Sequence, residues 1–178
     1  NPRAVIVIEF GSISGGQQET GDSWLEVRSP WSNEVVGRVA AVSLQRATDI
    51  LRQTHATRTT LSRRERADVL QGMARIVDQQ RDEVSLMITD ETGLCRKDTS
   101  YEAGRVVDVL KFAAIRALAD DSEVFPCDIT PHGRPRRVYT TRQPWRLMSA
   151  ITPFNHPMNQ VAHKIAPAIA TNTPVLLK

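Results

Sequence analysis

Cysteine is nearly absent: Cys95 and Cys127 are the only two in 178 residues, far apart and with no CxxC. A disulfide framework or a zinc cluster needs more thiols at closer spacing, so neither is supported. Such sparse cysteine fits a reducing compartment, and a cytoplasmic location is expected. Aromatics are also few, at 5%, too few to interleave with a basic stripe as a nucleic-acid surface would need. The net charge of +3 is not massed on one stretch. Its densest runs, SRRER at 62–66 and GRPRR at 133–137, are short and read as solvated surface. No apolar run approaches the roughly 20 residues of a membrane helix. The opening NPRAVIVIEF lacks the small-residue cleavage pattern of a signal peptide and reads as a strand or an arm. No repeat or low-complexity tract is present. Neither a nucleic acid nor a membrane is therefore expected as a partner, and the length suits one domain, or one and a part.

What is present is a sequence whose hydrophobic period changes along its length. AVIVIEF reads as a strand, GSISGGQQETGDS as a loop, and WLEVRSPWSNEVVGRVAAV as two strands joined by a turn at SPWSNE. From Ser43, a plausible N-cap, Leu44, Ala47, Ile50 and Leu51 recur at helical spacing. Ser62 and Glu65 form an S-x-x-E capping box, which predicts a helix start with Val69, Leu70, Met73, Ile76 and Val77 as its apolar stripe. A further helix is predicted over 81–91 with Gly93 as its C-terminal cap. Another is predicted over 99–119, burying Val106, Val107, Leu110, Ala113 and Ala114. Residues 121–147 read as an extended hairpin turning at TPHGRP.

The last thirty residues, SAITPFNHPMNQVAHKIAPAIATNTPVLLK, predict strand, turn, helix and strand, with Val161, Ile165, Ala168 and Ile169 on one helix face and Pro167 inside it. A unit of this length makes two parallel strands with a right-handed crossover. Ligands bind beyond the carboxyl ends of such strands. Asn155 follows the first strand and Lys178 ends the second, so both fall on one sheet edge. A carboxamide there can donate to a developing oxyanion, and a lysine can meet a ribose or a phosphate. The helix N-terminus near His156 is expected to offer free N–H groups to an anion. A plainer reading stands beside this one, with Asn155 a helix cap and Lys178 a solvated cation. No G-x-G-x-x-G follows either strand, so the ordinary dinucleotide fingerprint is missing.

ITPFNHPMNQVAHKIAPAIATNTPVLLK resembles the cofactor-binding segment of the NAD(P)-dependent aldehyde dehydrogenase superfamily. EVRSPWSNEVVGRV resembles that family's early hairpin, SRRERADVLQGMARIVDQQRDEVSLMITDETG its helical stretch, and RRVYTTRQP the strand leading into its nucleotide fold. The resemblance covers most of the chain from about Trp24 onward.

It implies an α/β fold: the N-terminal part of a Rossmann-like cofactor domain with an incomplete parallel sheet and a projecting β-hairpin. The division it suggests is 1–120 for strands and helices, 121–147 for an oligomerisation-type hairpin, and 148–178 for the first β-α-β unit. It implies NAD or NADP as cofactor, a small aldehyde as substrate, and a homo-oligomer, dimer or tetramer, for the full-length enzyme. Asn155 matches the family's oxyanion-hole asparagine. Ile151, Thr152, Pro153, Phe154 and Lys178 match its cofactor-binding positions. The family's nucleophilic cysteine and general-base glutamate would lie beyond Lys178, and neither Cys95 nor Cys127 sits in a matching motif. The residues given are therefore expected to be inactive alone, as part of a dehydrogenase or as a truncated, non-catalytic family member.

Two departures stand out. Trp145-Arg146 occupies a step that usually contains glycine, and Thr171-Asn172 stands where Gly-Asn is usual. Arg105 and His156 reaching the substrate tunnel would favour an anionic aldehyde, as in the branch that includes phosphonoacetaldehyde and lactaldehyde dehydrogenases. Alternatively, Arg105 is a surface residue of an amphipathic helix and His156 a simple helix-start residue.

Overall fold

The computed structural model describes residues 7–56, 60–119 and 121–178. The first six residues of the opening run lie outside these, and the rest of that run supplies strand β1 (Ile8–Phe10). β1 pairs in parallel with β5 (Val35–Ala41), which pairs antiparallel with β4 (Ser23–Arg28). The β4–β5 hairpin turns where expected: Ser29 donates to the Glu34 carbonyl, and Asn33 takes φ 61°.

The stretch 11–23 is not the plain loop its composition suggested. β2 (Ser12–Ser14) and β3 (Gln17–Glu19) form a small antiparallel hairpin. Gly15 and Gly16 both have positive φ, as a two-residue hairpin turn requires, and the Gly-Gly pair between short runs was the signal for it.

Four helices follow: α1 (Leu44–Ala56), α2 (Arg63–Gln79), α3 (Arg81–Thr92) and α4 (Arg96–Leu118). The Ser62 hydroxyl accepts from the Glu65 N–H at 3.2 Å, and the Glu65 carboxylate accepts from the Ser62 N–H at 2.8 Å. Gly93 closes α3 in the left-handed conformation at φ 74°, where a Cβ would also come within 2.9 Å of Pro30. α4 begins three residues earlier than the spacing predicted.

Next come β6 (Val124–Pro126) and β7 (Arg137–Tyr139), an antiparallel pair within the expected hairpin. β8 (Met148–Ala150), α5 (Pro157–Ala170) and β9 (Val175–Leu177) complete the chain. β8 and β9 are parallel, with Ala150 opposite Leu177.

The hydrophobic core lies where α2, α4 and α5 meet. Leu70, Val107 and Leu110 are buried there among alanines at 67, 74, 114, 117, 162 and 166. Small side chains on all three helices let their backbones approach closely. Two expected stripes need correction. In α2, Val69 and Ile76 are exposed, and Ala67, Leu70 and Ala74 take the core face. In α5, Ala162 and Ala166 enter this core with Met158, Ile169 and Ala170 beside them, in place of Val161 and Ile165. Alanine is a weak marker of a buried face, so the larger residues drew the stripe off by one position. Pro167 lies inside α5 without ending it.

Thr171, which stands where glycine is expected, takes φ −97°, so the turn asks no left-handed conformation of it. Asn172 takes φ 58°, a conformation asparagine tolerates better than other non-glycine residues.

Candidate active site

Two parallel strands bring their carboxyl ends together at one edge. The Lys178 N–H donates to the Ala150 carbonyl at 2.8 Å, and the Thr152 N–H donates back to the Lys178 carbonyl at 3.3 Å. The segment after β8 is thus tied to the end of β9. Ile151 and Phe154 are exposed, 70% and 89%, and Pro153, Asn155 and Lys178 are exposed as well. An apolar surface and a cation stand together at this edge, with a carboxamide three residues beyond Thr152. That donor set suits a nicotinamide dinucleotide: flat apolar contact, a hydrogen-bond donor for a ribose and positive charge for phosphate.

Asn155 is not the cap of α5. His156 occupies the N-cap position, and its side chain makes no capping hydrogen bond. The cap comes from another helix. Glu102 of α4, only 2% exposed, accepts the N–H groups of Met158 and Asn159 at 3.0 Å each, both through Oε1. Its Oε2 lies 3.4 Å from His156 Nδ1. The expected free anion site at this helix start is therefore corrected: a carboxylate of the protein already fills it. A negative charge at the positive end of the helix dipole is favourable.

The other end of α5 carries the opposite charge. Arg66 of α2 donates from its guanidinium to the Ala170 carbonyl at 2.5 Å. Its pKa is lowered from the ordinary value by burial first and by the neighbouring Arg63 charge second. Sequence reading did not single out Glu102 or Arg66. The signal for Glu102 was its place in the stripe Thr99, Glu102, Ala103, Val106, Val107, all buried. A carboxylate on such a face needs a partner.

His156 is half-exposed and faces Glu102, while Arg105 sits on α4 three residues beyond Glu102 with its side chain exposed. Cys95 is exposed at the start of α4, its thiol 3.3 Å from the Asp98 carboxylate, and Cys127 lies in the hairpin. A cavity of about 750 Å³ lies between the β1-β5-β4 sheet and α3, lined by Phe10, Trp31, Met87, Leu94 and Cys95 among others. None of the residues singled out for the site lines it. Glu91, also on its wall and exposed as a residue, has its pKa raised by partial desolvation and then by the Asp90 charge.

Comparison with known proteins gives the family. The model of the aldehyde dehydrogenase family matches residues 17–178. The chain belongs to the aldehyde dehydrogenase family. Aspartate-semialdehyde dehydrogenase 1 of Pseudomonas canavaninivorans is 34% identical over 157 residues, covering 86% of this chain and 33% of that protein. Lactaldehyde dehydrogenase of Methanococcus aeolicus is 32% identical over 155 residues, covering 85% and 32% respectively. Among solved structures, glyceraldehyde-3-phosphate dehydrogenase of Methanocaldococcus jannaschii complexed with NADP superposes with a TM-score of 0.77 at 28% identity, covering 86% of this chain and 33% of that one. The chain thus spans about a third of the length of the curated relatives it matches. Its fold is the N-terminal part of the aldehyde dehydrogenase fold.

Proposed function

We propose that this chain is the cofactor-side portion of an NAD(P)-dependent aldehyde dehydrogenase, with Asn155 in its oxyanion hole. The observation that carries this reading is the shared edge: Asn155 follows β8, Lys178 follows β9, and backbone hydrogen bonds tie their segments together. Ile151, Thr152, Pro153 and Phe154 form the cofactor-facing surface, and Lys178 meets the ribose on the adenine side. The Asn155 carboxamide donates to the oxygen of the aldehyde as it gains negative charge, which lowers the barrier to addition of a thiolate. When bound, the nicotinamide accepts the hydride. The nucleophilic cysteine and the base that activates water come from the part of the family fold that follows this region. Cys95 and Cys127 take no part. The division at 120 and 147, the homo-oligomer and the cytoplasmic location belong to the same reading. No helix among the described residues is long and apolar enough to cross a membrane.

Arg105 and His156 favour an anionic aldehyde in this proposal, since a guanidinium pairs with carboxylate or phosphate and an imidazole N–H can donate to either. Two of the relatives above, by name, act on aldehydes that carry a carboxylate or a phosphate, and the third on one that does not. The test uses the whole protein that carries this chain. It should reduce NAD or NADP only when an aldehyde is supplied, and Lys178→Ala should weaken cofactor binding at least several-fold. Arg105→Ala should raise KM for an anionic aldehyde much more than for a neutral one. Absence of reduction across an aldehyde panel overturns the reading in favour of a non-catalytic family member.

A further inference from the structure

The first N–H groups of a helix have no partner within it and must be satisfied from outside. In α5 the groups from Pro157 to Gln160 are all accounted for. Pro157 has no N–H to satisfy. Met158 and Asn159 donate to Glu102, and Gln160 donates to the His156 carbonyl at 2.9 Å. Glu102 reaches this point from near the N-terminal end of the buried face of α4, whose own position is set by Val106, Val107 and Leu110 in the core. The carboxylate is therefore a rigid post, fixed by packing on one side and bonded to the start of α5 on the other.

The loop that carries Asn155 is held between two anchors. One is the backbone pairing of Thr152 with Lys178. The other is Glu102, through His156, Met158 and Asn159. Only Pro153, Phe154 and Asn155 lie between them, all exposed. Three residues between two fixed points have little freedom, and loss of either anchor would release the span.

We propose that Glu102 is a positioning residue, which fixes the Asn155 carboxamide by holding the start of α5. The proposal rests on the functional reading above. Because both backbone bonds end on Oε1, a glutamine at 102 keeps them through its carbonyl oxygen, whereas an alanine loses both. The cofactor-facing anchor at Thr152 and Lys178 is separate and is unaffected by either change. A misplacement of about 1 Å can slow an enzyme by about 10²-fold.

The experiment measures kcat per titrated active site in the whole enzyme for Glu102→Ala, Glu102→Gln, Asn155→Ala and the Glu102→Ala/Asn155→Ala double variant. Glu102→Ala should lower kcat by about 10- to 100-fold with cofactor Kd within twofold of wild type. Glu102→Gln should restore most of the rate, and the double variant should be no slower than Asn155→Ala alone. If Glu102→Ala fails to fold, Glu102→Asp, which withdraws the carboxylate by one methylene, should lose about tenfold in kcat. Amide exchange supplies a readout that needs no turnover: Met158 and Asn159 should be protected in the wild type and in Glu102→Gln, and unprotected in Glu102→Ala. A slow Asn155→Ala with unchanged kcat per site in Glu102→Ala and Glu102→Asp overturns the positioning role alone. Unchanged kcat in Asn155→Ala overturns the functional reading, and the positioning role with it.

Discussion

Helices α2 and α5 solve the same problem in opposite ways. α2 starts with its own cap: Ser62 and Glu65, three residues apart, satisfy each other's backbone. α5 starts with no cap of its own and borrows a carboxylate from α4, fifty-seven positions from Asn159 in the chain. The local device stabilises one helix. The remote device stabilises a helix and also fixes its relation to another, and it does so beside the loop that bears Asn155. A remote cap ties two helices together, which a cap within one helix cannot do.

The largest expected effect separates the two devices directly. Glu102→Ala leaves one buried and one partly buried donor unpaired, and should destabilise the protein by about 2–4 kcal/mol in denaturant unfolding. Ser62→Ala should cost about 1 kcal/mol, the usual value for an exposed cap. Equal losses would break the comparison, since the remote cap would then do no more than the local one. A smaller effect sharpens the local side. Gly72 lies inside α2, and a Cβ there meets nothing closer than the Arg75 guanidinium at 3.8 Å. Gly72→Ala should therefore raise stability by about 0.5–1 kcal/mol through helix propensity alone, read as a higher denaturant midpoint.

The pH dependence is the smallest effect and has two signs. Hydrogen bonds from the Ser62 side chain, then its backbone, hold the Glu65 carboxyl below its usual value of 4.5. Its contribution is present above that value and is lost as pH falls through the lower folded pKa. Glu91 is shifted upward from 4.5 by partial desolvation and then by Asp90. Its contribution is complete below that value and is lost as pH rises through the higher folded pKa. Unfolding curves across this range should show Glu65→Gln losing its disadvantage on acidification. Glu91→Gln should gain on the wild type as pH rises. The same trend in both variants would contradict the assigned shifts.

Much of this architecture was legible in the chain because its causes are local. The capping box, the Gly93 stop and the alternation in the early hairpin each rest on residues a few positions apart. The closing β-α-β unit was legible too, down to the carboxyl ends of its two parallel strands meeting where Thr152 pairs with Lys178, because crossover geometry follows from segment length. Three things were not. Gly15-Gly16 formed a turn inside what composition marked as loop. Alanine-rich faces hid the true core stripes of α2 and α5. The cap of α5 came from a distant helix, so it lay outside any window that could be read around His156. Glu102 could be marked only as a carboxylate on a buried face, with its partner set by tertiary packing.

The measurement that bears most directly on the account is the single-turnover rate of aldehyde-dependent cofactor reduction by the whole protein, compared with its Asn155→Ala variant at saturating cofactor. Loss of one oxyanion donor should slow the step by about 10²- to 10³-fold with cofactor affinity unchanged. An equal rate in the two proteins would contradict the placement of Asn155 at the reacting oxygen.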